Sequence, residues 1–230
     1  MKSSDTTRVN KFISHATGLS RREADAAVTA GRVTINGAKA AMGAQVSPSD
    51  VVKLDNKPLA GQQHYTYVLF HKPVGYVCSR RKQGSSPTIY DLLPKNYRPL
   101  KTVGRLDRDS SGLLLLTDDG DFAHRMTHPS FKKQKTYEVS LDHALQPLHR
   151  QMVSDHGIQL EDGVSQLTLE RLVEGDETRW RVLMHEGRNR QIRRTFAALG
   201  YTVTRLHRTQ FGPYILGKLL AGHPEKTSQK

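Results

Sequence analysis

The chain has 230 residues, 36% of them hydrophobic, with a single cysteine, Cys78. It can therefore bury a core unaided, and an intramolecular disulfide or a cysteine-held structural zinc is excluded. Thirty-five Lys and Arg against 22 Asp and Glu give a net charge of +13, which implies an anionic partner, nucleic acid before an acidic membrane. The longest aliphatic run, Leu113 to Leu116, is far too short to span a bilayer, and MKSSDTTRVNK carries no apolar signal core, so a soluble cytoplasmic protein without a membrane role is expected.

In chain order, Val9, Phe12, Ile13 and Ala16 recur at helical spacing, and Ser20 with Glu23 forms a capping box for a second helix ending at Gly31. Val33 and Ile35 then alternate with polar residues, Asn36-Gly37 signals a hairpin, and Val51, Val52 and Leu54 supply a closing strand. Arg8, Lys11, Arg21, Arg22, Arg32 and Lys39 decorate this small unit. Asp55 to His64, with Pro58 and Gly61, reads as a linker.

Beyond Tyr65 short β-rich runs alternate with a few helices. Strands are predicted at 67–70, 113–117, 136–141, 166–172, 180–184 and 202–206, and helices at 121–127, 145–153 and 189–199, the last stopped by Gly200. The pattern is α+β, and the tail from Pro224 is expected to be disordered. From Gly187 to Pro224 seven basic residues, among them Arg188, Arg190, Arg193, Arg194 and Arg208, meet no acidic residue, whereas a merely solvated surface mixes signs.

Several motifs fail on chemistry. Gly212 to Leu219 nearly spells a phosphate-binding loop, but Leu219 stands where a magnesium-binding hydroxyl is needed. His185-Glu186 lacks a second His four residues after the first, and the His124/His128 pair lacks the intervening Glu, so no metal site is expected. What remains is Gly104-Arg-Leu-Asp107-Arg-Asp-Ser-Ser-Gly112 leading into Leu113 to Leu116 and Thr117-Asp-Asp-Gly120. On residues alone, Asp107 and Asp109 read first as caps of a turn; the alternative is a carboxylate held beside a rigid strand, the placement a catalytic group requires.

Two resemblances bear on this choice. Arg-Val-Asn-Lys-Phe-Ile, Ser-Arg-Arg-Glu-Ala and Gly-Arg-Val-Thr-Ile-Asn-Gly resemble the alpha-L RNA-binding domain of a small-subunit ribosomal protein, over residues 8 to 54. That likeness implies recognition of structured RNA by shape and phosphate contacts. The Gly104 to Gly120 segment resembles the signature of RsuA-type pseudouridine synthases, which act on single ribosomal RNA sites. His71-Lys-Pro-Val-Gly75, Lys135-Thr-Tyr137-Glu-Val and Glu186-Gly-Arg-Asn-Arg-Gln-Ile-Arg193-Arg resemble the family's other segments, in the family's order. The end, Leu-Leu-Ala-Gly-His-Pro-Glu-Lys, departs from the family pattern.

The resemblance implies an alpha-L domain at 8–55, a linker at 56–64, a mixed, mostly antiparallel-sheet catalytic domain at 65–222 and a tail at 223–230. It implies isomerisation of uridine in ribosomal RNA or an immature subunit, by a monomer without cofactor or metal. Asp107 would act at the sugar, Tyr137 would stack on the target base, and Arg193, on the border of a helix's buried stripe, would pair with Asp107 and keep it ionised. Arg105 would hold the nucleotide out of its stack, at an extrusion cost of a few kcal/mol. Arg188, Arg190 and Arg194 would contact phosphates, as would Arg8, Lys11, Arg21, Arg22 and Arg32 of the first domain. Gly157 to Gly163 and Glu186 to Arg190 resemble members acting on large-subunit RNA, whereas Gly75 to Ser79 leans to the small subunit; large-subunit RNA is the favoured expectation. A non-catalytic RNA-binding or ribosome-assembly protein is the alternative.

Overall fold

A computed structural model describes residues 6–60, 65–81 and 84–230. The chain divides into two compact units, with the boundary between Tyr65 and Thr66. The first begins with β1 (Thr7–Arg8), α1 (Val9–Thr17) and α2 (Arg21–Thr29), then β2 (Val33–Ile35), β3 (Ala38–Lys39), β4 (Gln45–Val46), β5 (Val52–Leu54) and β6 (Lys57–Pro58). The expected capping box is present: the Ser20 hydroxyl accepts from Glu23 N and the Glu23 carboxylate accepts from Ser20 N. Asn36 and Gly37 both take positive φ, the backbone a tight hairpin turn needs between β2 and β3. Val9, Ile13, Ala24, Ala27, Val28, Val33, Val46 and Val52 form the core of this unit, covering one face of the four-stranded sheet β3-β2-β5-β6. The linker expectation needs correction, because Lys57–Pro58 pairs with β5 and so belongs to this sheet; residues 61–64 of that span lie outside the described residues.

The second unit runs through β7 (Tyr67–Lys72), α3 (Ile89–Leu92), β8 (Lys101–Val103), β9 (Ser111–Thr117), α4 (Gly120–Thr127) and β10 (Lys135–Leu141). It continues with α5 (Pro147–Gln151), β11 (Ile158–Leu160), β12 (Gly163–Ser165), β13 (Thr168–Arg171), β14 (Arg179–Met184), α6 (Gln191–Ala197), β15 (Val203–Phe211), β16 (Tyr214–Ile215) and β17 (Pro224–Thr227). Its main sheet has the order β13-β14-β10-β15-β9-β7-β17, with β8 beside β9 and β16 beside β15. Every pairing in it is antiparallel except β15 with β9, so the sheet is mixed, as expected. Leu113 and Leu115 face a cluster with Phe122, Met126 and Phe211, while Leu114 and Leu116 face Ile89, Leu93 and Leu100. Both faces of β9 are covered, and for that reason its sequence is a continuous apolar run and does not alternate.

Three expectations are revised. The tail is not disordered over Pro224–Thr227, which pairs antiparallel with Phe70 to Tyr67 and covers the edge of β7. Backbone hydrogen bonds hold that strand, so its polar residues gave no hydrophobic signal. The helix expected at 189–199 spans only Gln191–Ala197, because Arg190 takes a left-handed φ of 46° that interrupts helical geometry before it. The helix expected at 145–153 starts with Pro147 at its first position and widens into a π turn at Met152–His156, closed by Gly157 N donating to Met152 O at 2.8 Å.

Gly112 fixes the parallel junction. Its φ is +108°, and a Cβ there would lie 2.2 Å from the carbonyl oxygen of Arg208, its register partner on β15. Only glycine permits this approach of the two backbones.

Candidate active site

Asp107 lies on the loop between β8 and β9. Three fixed points hold that loop. Lys72, fully buried at the end of β7, donates from Nζ to Ser110 O at 2.6 Å, Pro73 O at 3.1 Å and Arg108 O at 3.4 Å. Gly75 N donates to Arg108 O at 2.7 Å, and Ser110 N donates to Asp107 O at 3.1 Å. Burial brings the Lys72 ammonium down to about 8, against the opposing pull of Asp107 and Asp109 among its neighbours. The carboxylate is thus mounted on a backbone with little freedom.

Two arginines of the α6 segment complete the loop's surroundings, and here the expected pairing changes. Arg193, with a side chain only 12% exposed, donates to Val203 O at 2.6 Å and Asp109 O at 3.1 Å, and forms its ion pair with Asp109 at 3.2 Å. It does not pair with Asp107. Arg190 instead reaches both acids, at 3.5 Å to Asp107 and 3.3 Å to Asp109. Arg190 takes a left-handed φ of 46° just before α6, a departure from helical geometry that helical periodicity cannot foresee. Burial works to raise the Asp109 carboxyl, but the hydrogen bond from Arg190 and the charge of Arg193 outweigh it and hold the group below its ordinary range. Burial lowers the Arg193 guanidinium from its ordinary value, with Asp109 acting in the other direction.

Beside Asp107 opens a cavity of about 260 Å³, whose walls include Arg105, Asp107, Tyr137, Lys135, Arg190 and Arg208. Tyr137, from β10, is 7% exposed and presents its hydroxyl 3.5 Å from Arg208 Nη1. Lys135 Nζ donates to Glu186 O at 3.3 Å and His185 O at 3.5 Å, and burial brings it to about 8, with the nearby Arg208 acting in the same direction. Arg105 is exposed at the rim. The arrangement offers one carboxylate, one aromatic face and a cationic wall around a space for a small planar group. Among the described residues no group of three His, Cys, Asp or Glu side chains is placed to hold a metal ion.

The expected phosphate contacts separate into two kinds. Arg188 lines the cavity but is committed inside the protein, donating to Asp162 Oδ1 and to the carbonyls of Asp162, Gly163 and Val164, each at 2.9 Å. Arg194 forms a two-point pair with the same Asp162, at 2.7 and 3.1 Å. Arg188 ties the β11–β12 hairpin to the segment before α6, and Arg194 ties it to α6 itself. In the first unit Arg32 is paired with Asp55 at 2.7 Å, whereas Arg8, Arg21 and Arg22 are exposed and Lys11 is half-buried. Sequence reasoning did not assign roles to Lys72, Lys135 or Arg208. For Arg208 a signal existed: it lies two residues after Leu206 on a strand, which places a charge at a core-facing position.

The chain belongs to the RNA pseudouridylate synthase family, whose model matches residues 66–198; an S4 domain matches residues 7–52. It is 37% identical to the ribosomal small subunit pseudouridine synthase A of Yersinia pestis, covering 93% of this chain and 91% of that one. It is 32% identical to the ribosomal large subunit pseudouridine synthase B of Bacillus subtilis (strain 168), covering 89% and 85%. A crystal structure of a pseudouridylate synthase, 33% identical, superposes with a TM-score of 0.68 over 96% of each chain.

Proposed function

We propose that this enzyme converts uridine to pseudouridine in ribosomal RNA, with Asp107 as the group that acts at the sugar. The observation that carries the reading is the position of Asp107: a carboxylate on a loop pinned by Lys72 and Arg193, at the wall of a cavity that also presents Tyr137. The volume, just below the roughly 300 Å³ at which ligand pockets begin, suits one extruded base.

The reaction breaks the bond from sugar carbon 1 to base nitrogen 1 and makes one from carbon 1 to base carbon 5. Asp107 meets the charge that develops at the sugar, either by attack at carbon 1 or by removing a neighbouring proton. Tyr137 gives the turning base a face to stack on. Arg193 is a positioning residue that acts through Asp109 and the loop backbone, and Arg190 is the cation nearest to Asp107. The product contains every atom of the substrate except the exchanged hydrogen, so the chemistry calls for no redox group or metal. The S4 domain would hold structured RNA through phosphate contacts, with Arg8, Arg21 and Arg22 exposed for it. The enzyme would act as a monomer.

Identity to relatives named for the small subunit, at 37–38%, exceeds that to relatives named for the large subunit, at 32–34%, and does not favour the large-subunit expectation. The proposed substrate is therefore a ribosomal RNA uridine, with the subunit decided by experiment. Transcripts of each ribosomal RNA labelled with [5-³H]uridine release tritium as carbon 5 loses its hydrogen. Release from one transcript supports the reading and names the subunit. Tight RNA binding with no release from either transcript, or from immature subunits, supports the assembly-factor alternative instead.

A further inference from the structure

The cavity contains a cation that the loop chemistry does not use. Arg208, on the central strand β15, is 2% exposed. Its Nε donates to Leu113 O at 2.7 Å and its Nη1 lies 3.5 Å from the Tyr137 hydroxyl, but its Nη2 is buried without a hydrogen-bond partner. Among the described residues no carboxylate forms an ion pair with it within 4.0 Å. The guanidinium lies over the Phe211 ring at 4.9 Å and 6.0 Å from the Tyr137 ring, so aromatic walls surround it and not water. Lys135 Nζ lies 5.3 Å from the same Phe211 ring, and both residues line the cavity. The Glu186 carboxylate, which also borders the cavity, is engaged by Gln191 Nε2 and by Arg188 at 3.3 Å.

A buried cation with an unmet donor and no counter-ion is costly to a fold. This fold nevertheless enforces it, since the glycine at position 112 lets β15 approach β9 and thereby sets where Arg208 projects. A guanidinium stays charged and its donors are fixed in a plane, the properties needed to stabilise negative charge that appears only during reaction. In uridine isomerisation that charge appears on the base. When the carbon 1 to nitrogen 1 bond breaks, its electron pair leaves with the uracil, which becomes an anion with charge on nitrogen 1 and on both carbonyl oxygens. Carbon 5 then forms the new bond to carbon 1 and loses its hydrogen as a proton, so the sequence balances without oxidant or reductant.

We propose that Arg208 is a further catalytic residue: its free Nη2 binds a carbonyl oxygen of the uracil and, with Lys135 beside it, stabilises the uracil anion as the glycosidic bond breaks. This rests on the isomerase reading and extends it from the sugar to the leaving base. Asp107 and Arg208 then divide the work, one meeting charge at the sugar and the other at the base.

The test compares two leaving groups on one enzyme preparation. Fluorine at carbon 5 withdraws electrons and stabilises the uracil anion without the protein's help. Single-turnover rates are measured on ribosomal RNA transcripts containing uridine, by tritium release, and 5-fluorouridine, by disappearance of that nucleoside after digestion and mass spectrometry. Arg208→Gln is expected to lose about 100-fold on uridine, the scale of removing one preorganised donor, and less on 5-fluorouridine, so that the fluorouridine-to-uridine rate ratio rises at least about tenfold over the parent. Arg208→Lys is expected to recover part of the loss. A ratio taken within one preparation does not depend on the folded fraction. Should Arg208→Gln fail to fold by circular dichroism, Lys135→Gln removes charge from the same wall and is expected to raise the ratio also. An active parent whose ratio is unchanged in a folded variant overturns the role of Arg208 alone. A parent that consumes neither nucleoside overturns the isomerase reading itself.

Discussion

Replacing Lys72 by methionine separates what holds the Asp107 loop from what holds the fold. The ammonium is fully buried and brought from 10.5 to about 8. At about 1.4 kcal/mol per pH unit, this corresponds to roughly 3 kcal/mol against the charged form, a cost that methionine removes. Against it stand two carbonyls, Ser110 O and Pro73 O, which lose this donor, whereas Arg108 O keeps the bond from Gly75 N. Each buried unsatisfied acceptor costs about 1–3 kcal/mol. The two effects nearly cancel, so Lys72→Met should change global stability by about 0–3 kcal/mol, within the roughly 5–15 kcal/mol a native domain possesses. Catalysis has no such compensation: with its anchor gone the loop drifts, and a displacement of about 1 Å costs on the order of 100-fold in rate. Urea unfolding and single-turnover tritium release on the same protein check both halves. Full activity per folded molecule in Lys72→Met refutes the pinned-loop argument, and complete unfolding refutes the cancellation.

The lowered values of Lys72 and Lys135 also set a pH dependence in which activity and stability move apart. Below about pH 8 both groups are protonated whether the chain is folded or not. Between about 8 and 10.5 the unfolded chain holds protons that the folded one has released, so these two groups make stability rise with pH while the ammonium donors of the site are lost. Single-turnover rates should therefore fall through about pH 8 with no matching fall in urea midpoint; parallel loss of both contradicts the assignment. Gly112→Ala forces a Cβ to within 2.2 Å of Arg208 O at a φ of +108°, and should destabilise by more than about 3 kcal/mol, read as a lowered Tm. An unchanged Tm would show that the β9–β15 junction yields. Arg21→Glu with Arg22→Glu, both exposed on α2, should weaken ribosomal RNA binding and flatten its salt dependence while sparing the fold. Equal affinity over a salt titration would remove α2 from the RNA surface.

Much of this architecture is legible in the sequence, for local reasons. The Ser20–Glu23 capping box, the Asn36-Gly37 turn and the apolar run before Thr117 each encode their geometry in a few adjacent residues, and each forms as expected. What was missed depends on distant partners. The β17 edge strand exists because β7 needs a neighbour, which nothing in Pro-Glu-Lys-Thr announces. The Asp107 loop and Tyr137 were visible as candidates, and their meeting in one cavity follows from the order of β9, β15 and β10. The pairing of Arg193 with Asp107 was implied by resemblance alone; in the structure Arg190, left-handed just before α6, reaches both Asp107 and Asp109, and Arg193 pairs with Asp109. Arg188 and Arg194 looked like free cations because Asp162, which holds both, lies more than twenty residues away along the chain.

The central claim is that the Asp107 carboxylate performs the chemistry and does not merely cap its loop. Asp107→Asn keeps the size and most of the hydrogen bonding of the side chain while removing its charge. Single-turnover tritium release from [5-³H]uridine ribosomal RNA, measured beside RNA affinity, is predicted to fall below detection in Asp107→Asn with affinity within a few-fold of the parent. Release at a rate near the parent's would contradict the account, and would return Asp107 to the role of a turn cap.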